Sequence, residues 1–207
     1  MTSSELATPT SISAAQSIFL RDRKRGFAAL NEIFRSGSPP DPPLHGGYGG
    51  ELVALDVAPG LNQFIEMITS RWMPWKGKFF NAGQASGVNI FTRDSLLLAH
   101  IFWPLYRGYR AESADRYRAF TFQTHLGSGL TDPDRQVLKL DYNIKGNPNL
   151  SVRRVLDELV QVDTTLYLGK AHLKWWWGAW QLVAYFSLAK TGCFETHLSQ
   201  LQSKAVT

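Results

Sequence analysis

Residues 157–188, DELVQVDTTLYLGKAHLKWWWGAWQLVAYFSL, place the tightest limit on the fold. Aromatic and β-branched residues crowd this stretch, and they suit a pleated, half-buried surface. Val160 and Val162 close a first strand, and Asp163-Thr164 makes a turn. Residues 165–175 form a second strand, Gly178 marks a reversal, and 180–188 form a third. Such a meander leaves a long edge that must be paired or covered. The expected solution is closure with upstream strands into a barrel.

The rest of the chain supplies those strands. Residues 51–57 (ELVALDV), 75–80, 87–91, 116–125 and 136–142 read as strands bounded by glycine, proline and aspartate turns. Residues 13–35 read as helix, with Ile18, Phe19, Phe27, Leu30, Ile33 and Phe34 at spacings of three and four; Gly26 leaves two shorter helices open. A second helical pattern runs through Leu61, Phe64, Ile65, Ile68 and Trp72. Residues 95–103 (SLLLAHIFW) are apolar all round, so helix and buried strand both fit. A short turn of helix is expected near 151–156. The architecture is therefore mainly β (α+β): an antiparallel barrel of about eight strands, an N-terminal helix and one inserted helix. Eight strands enclose an interior wide enough for one small ligand. The expected organisation is a tail, helix and Pro-rich linker over 1–43, a barrel domain over 44–190, and a C-terminal tail over 191–207.

Composition narrows the class. At 207 residues, one domain with one core is the default. Net charge is +5, from 22 basic and 17 acidic residues. The basic residues are scattered, which argues against a nucleic-acid partner. The single cysteine, Cys193, allows no intramolecular disulfide. No apolar run is long enough for a membrane helix, and MTSSELATPTSIS lacks the basic-then-apolar order of a signal peptide. A cytoplasmic protein is expected.

Three segments in order carry a resemblance: GFAALNEIF, then Gly46-x-Tyr48-x-Gly50, then Trp75-x-Gly77-Lys78-x-Phe80. Together they resemble the Gly-x-Trp-x-Gly lipocalin-like domain of bacterial and fungal proteins, with Tyr48 standing where that family's signature has tryptophan. The later DEL…LYLGKA pattern is similar to the C-terminal strands of lipocalin-like proteins of unknown function. The resemblance covers about two-thirds of the chain. It implies a calycin-type barrel and no defined reaction.

The sequence offers few catalytic signatures. His45, His100, His125, His172 and His197 are too dispersed for a helical metal motif, and no metal site is expected. No cofactor is predicted; haem or another small hydrophobic ligand stays open, with His125 or His172 as the axial candidate. There is no nucleophile elbow, P-loop or dinucleotide fingerprint. Asp157-Glu158 with Arg153-Arg154 either places an acid and a cation at a barrel mouth or forms surface ion pairs. The expected ligand-facing residues are Tyr48, Phe91, Thr121, Gln123, His125, Tyr167, Gln181 and Tyr185, a mostly apolar lining with a few polar groups. Strand 136–142 turns inward either Lys139 and Asp141 or Leu138, Leu140 and Tyr142. Three functions follow as expectations. One is binding of a small hydrophobic or amphipathic molecule. A second is an isomerase or cyclase using His125, Asp141, Tyr142 and Tyr167 as acid–base groups. The third is interaction with a membrane surface or protein, a second copy included, through Trp175-Trp176-Trp177, which cannot all face one way in a strand.

Overall fold

A computed structural model describes residues 11–55 and 75–190. The strands in chain order are β1 (Gly46–Leu55), β2 (Trp75–Asn81), β3 (Ser86–Thr92), the two-residue β4 (Arg110–Ala111), β5 (Arg116–Ser128), β6 (Gln136–Asp141), β7 (Val155–Gln161), β8 (Leu166–Lys174) and β9 (Trp180–Lys190). Each long strand pairs antiparallel with the next, β3 pairs with β5, and β9 returns to β1. Eight strands thereby close into a barrel without a free edge. β4 borders the start of β5, and β6 takes over the same edge further along. This is the mainly β, lipocalin-like barrel expected from the sequence.

The N-terminal helical region is two helices, α1 (Ile12–Arg21) and α2 (Arg23–Ser36). The break falls at Asp22, not at Gly26. Asp22 is extended, at φ −144°, and its carboxylate accepts from the N–H of Arg25, so one residue ends α1 and caps α2. Gly26 is buried within α2. The apolar faces of the pair cover the outer wall of the barrel: Phe19, Leu30 and Phe34 share a cluster with Val53, Val160, Leu168 and Tyr185. Residues 95–103 resolve as a helix, α3 (Leu96–Phe102), and a 3-10 turn at Val152–Arg154 precedes β7. The helix expected over 61–72, Cys193 and the C-terminal tail lie outside the described residues. Among the described residues no helix is long and apolar enough to cross a membrane.

The two short motifs meet in one ladder. Tyr48 pairs with Lys78, Gly46 with Phe80, and Gly49 with Gly77. A Cβ on Gly50 would overlap the Trp75 indole, and one on Gly77 would overlap the Tyr48 carbonyl. Gly77 also holds φ +133°, which L-residues rarely adopt. The two glycines therefore let β1 and β2 approach closely while the Trp75 ring packs against the barrel core. Replacing Gly77 by alanine should cost about 2–3 kcal/mol through backbone strain and overlap. Chemical denaturation of Gly77→Ala measures it; an unchanged midpoint would contradict this account of the motif.

Candidate functional site

Lys78 lies midway along β2 and points into the barrel. Its side chain is 2% exposed. Its ammonium donates to Asp157 Oδ2 at 2.8 Å, Asn89 Oδ1 at 2.9 Å and the Tyr142 hydroxyl at 2.5 Å. Tyr142 also contacts Asp157 Oδ2 at 3.1 Å, and Trp75 Nε1 donates to Asn89 Oδ1 at 3.1 Å. The rings of Trp75, Phe122, Tyr142 and Phe186 stand 5.1–5.3 Å from the ammonium. The barrel interior is thus an aromatic box around a hydrogen-bonded lysine, aspartate, tyrosine and asparagine.

Strand geometry explains why these four converge. Around the closed ring β2 and β7 are diametrically opposed, four strands apart in either direction. Asp157 faces inward because Leu159, two residues on, does. Asn89 gains its second anchor from a bulge in β5. Val88 pairs with Thr121 but Asn89 pairs with Ala119, so Phe120 is the extra residue. Phe120 holds φ +60°, uncommon and strained for a bulky side chain. Its carbonyl accepts from Asn89 Nδ2 at 3.2 Å, and its N–H donates to the Tyr106 hydroxyl at 2.7 Å.

Burial sets the protonation. Desolvation lowers the Lys78 pKa, and the Asp157 charge offsets part of that. Desolvation and the Asp157 charge together hold the Tyr142 phenol well above its ordinary value, so it remains a proton donor. The arrangement sets a cation, a carboxylate and a protonated phenol within hydrogen-bond reach of one another.

The sequence-derived candidates divide. Tyr48, Phe91, Tyr142 and Tyr167 are buried in the barrel core. Tyr48 and Tyr167 pack edge-on at 5.6 Å, and Phe91 stacks on Tyr117 at 5.5 Å. Of the four acid–base candidates, Tyr142 joins the quartet directly. Thr121, Gln123 and His125 are exposed, contrary to the expectation that they face inward. The Phe120 bulge is the reason: it puts Ala119 and Phe122 on the same side, so the residues alternating with Phe122 turn to solvent. Asp141 also points away; its carboxylate accepts from the N–H of Asn143. The inward set of β6 is Leu138, Leu140 and then Tyr142. Tyr185 is buried on the outer wall under the helices. Gln181 sits at the β8–β9 end, accepting from Trp175 Nε1 at 2.8 Å. Asp157 and Glu158 occupy opposite faces of β7, and neither pairs with Arg153 or Arg154, which bond Asn143 and the Lys174 carbonyl.

Lys78 and Asn89 were not among the sequence candidates, and Asp157 was a candidate beside Arg153 and Arg154 rather than beside Lys78. The signal for Lys78 was its place in the Trp75-x-Gly77-Lys78-x-Phe80 segment. Asp157 was visible only as half of an acidic pair.

The outer wall holds a second buried lysine. Lys170 donates to Asp132 Oδ2 at 2.5 Å, Asn31 Oδ1 at 2.6 Å and Thr131 Oγ1 at 3.0 Å, tying β8 to α2 and the β5–β6 turn. Burial pushes the Asp132 carboxyl up, but Lys170 and Arg35 hold it down at about 2. Beside Lys170 on β8 is His172, 1% exposed, with no hydrogen-bond partner for either ring nitrogen among the described residues. Burial, then the charge of Lys170, lowers its pKa to about 4. His172 is on the outer wall and His125 is exposed, so neither reaches the interior as an axial ligand would. Among the described residues no three of His, Cys, Asp and Glu converge as a metal site. Compared with protein-family models, curated proteins and solved structures, the chain matches none significantly.

Two measurements probe these clusters. Lys78→Met leaves the buried Asp157 charge unpaired and should cost about 3–5 kcal/mol; Lys78→Met with Asp157→Leu should recover most of it. A double-variant loss equal to the sum of the Lys78→Met and Asp157→Leu losses would show that the pair is not coupled. His172 binds its proton less readily folded than unfolded, so stability falls as pH drops from about 6.5 to about 4 and this contribution is flat below that. The loss amounts to about 3 kcal/mol. His172→Leu should remove that slope, read as the difference between wild-type and variant urea midpoints across the window.

Proposed function

We propose that this chain is a lipocalin-like small-molecule-binding protein of the Gly-x-Trp-x-Gly kind, acting in the cytoplasm. Its ligand is apolar or aromatic, with a polar head that lodges on the quartet of Lys78, Asp157, Tyr142 and Asn89. The observation that carries this reading is the quartet itself. Binding sites are mostly apolar walls with a few convergent polar groups, and a closed barrel core that served packing alone would need no charge at its centre. The head group exchanges for one of the three acceptors now held by the ammonium, and the aromatic rings flank the apolar body. The pairing of Gly46 and Tyr48 with Phe80 and Lys78, and the packing of Trp75 on Gly50, support the family assignment.

A second reading shares the same residues. Tyr142 and Asp157 supply a proton donor beside a carboxylate, and Lys78 supplies a positive charge to steady a developing oxyanion. This favours an isomerase or cyclase as the alternative.

Native mass spectrometry of protein purified from its own host tests the first reading. The expected result is a co-purified small molecule that is absent from Lys78→Met. The ligand should also change tryptophan emission, and Trp75→Phe should remove most of that change. A protein that carries nothing from its host, and whose emission and melting temperature ignore a panel of lipids, pigments and haem, would refute binding.

A further inference from the structure

Among the described residues, most of the large apolar side chains left in solvent collect at one end of the barrel, Leu20 on α1 and Leu126 near the end of β5 lying outside this group. That end carries the β3–β4, β6–β7 and β8–β9 connections, residues 93–109, 142–154 and 175–179. Leu105 is 87% exposed, Leu150 85% and Trp176 76%; Trp177, Leu97 and Ile101 are exposed beside them. The connections are tied together: Trp103 Nε1 donates to Ser151 Oγ at 2.8 Å, and Arg154 Nε to the Lys174 carbonyl at 2.7 Å. The tryptophan turn is closed by backbone hydrogen bonds. Trp175 and Ala179 share a 2.8 Å backbone hydrogen bond, and Gly178 donates to the Trp175 carbonyl at 2.9 Å. Trp175 and Trp177 stack 4.9 Å apart, with Trp176 edge-on to both. A groove of about 700 Å³ opens on the same rim between residues 102–106 and 145–151.

Charge near the apolar tips is mostly basic. Residues 93–109, 142–154 and 174–180 contain Arg93, Arg107, Lys145, Arg153, Arg154 and Lys174 against the single acidic residue Asp94. Exposed apolar patches of this kind mark interaction sites. Apolar tips on three projecting connections, rather than on one continuous face, suit a yielding planar surface. Indole rings settle at the boundary between headgroups and acyl chains, and basic residues beside them meet anionic headgroups. We propose that this rim docks on an anionic lipid surface. Leu105, Leu150, Trp176 and Trp177 enter the interfacial layer, and Lys145 and Lys174 contact the headgroups. The inference is independent of what the barrel interior binds.

Co-sedimentation with vesicles tests it, using phosphatidylcholine alone and phosphatidylcholine mixed with phosphatidylglycerol. Binding should require the anionic lipid and weaken as salt is added. Lys145→Gln and Lys174→Gln should each lower the partition coefficient about fivefold. Leu150→Ser with Trp176→Ser should lower it at least about tenfold. All four side chains are exposed, so melting temperatures should not move, which separates lost docking from lost folding. Equal binding to both vesicle types, no binding to either, or binding indifferent to Leu150→Ser with Trp176→Ser would overturn the proposal. So would a concentration-dependent dimer in vesicle-free sedimentation that these substitutions dissolve, since the patch would then serve a second copy of the chain.

Discussion

The ion pair between Lys78 and Asp157 spans the barrel from wall to wall, and much of the interior is arranged to make it tolerable. A lone charge in such a place costs several kcal/mol, and its partner repays that only when the remaining hydrogen-bonding capacity is also met. Asn89 and Tyr142 complete the ammonium's three donors. Trp75 and the strained Phe120 carbonyl hold Asn89 in turn. Gly50 and Gly77 clear the space for the Trp75 ring and the close strand pair beside it. A backbone outlier in β5 and two glycines in β1 and β2 therefore trace to one buried contact.

The outer wall uses the same device for a different purpose. Lys170 is as deeply buried as Lys78, and Asp132, Asn31 and Thr131 satisfy it. These partners come from α2 and from the β5–β6 turn, so the contact fixes the helical pair on the barrel rather than one barrel wall on another. Arg35 extends it to Asp132 and Asp134. The barrel thus has a polar centre inside and a polar clasp outside, with β7 supplying Asp157 to the first and β8 supplying Lys170 to the second. His172 and Glu158 sit beside the clasp. Glu158 accepts from the N–H of Leu130 at 2.7 Å through one oxygen, while burial raises its pKa.

Local patterns carried most of the architecture. The strand-turn rhythm of 157–188 became β7, β8 and β9 with turns where the aspartate and glycine signals stood. The all-apolar 95–103 stretch was ambiguous because a periodic signal needs polar residues to mark the other face. Side-chain facing was the harder matter. A single extra residue flips every later position in a strand, and Phe120, a bulky aromatic, gives no local sign that it is a bulge. Hence Thr121, Gln123 and His125 read as lining and stand in solvent. Tyr142, by contrast, was one of two legible alternatives for its strand.

By itself, the sequence determined that the chain would form many short antiparallel strands, where most of them turn, and that an N-terminal helical segment would precede them. These follow from alternation, turn chemistry and capping, which act within a few residues. Only the tertiary structure decided that Lys78, Asn89, Tyr142 and Asp157 meet, and that Lys170 finds Asp132. Those residues come from separate strands and turns, and their approach depends on barrel closure and register, which no short window of sequence contains.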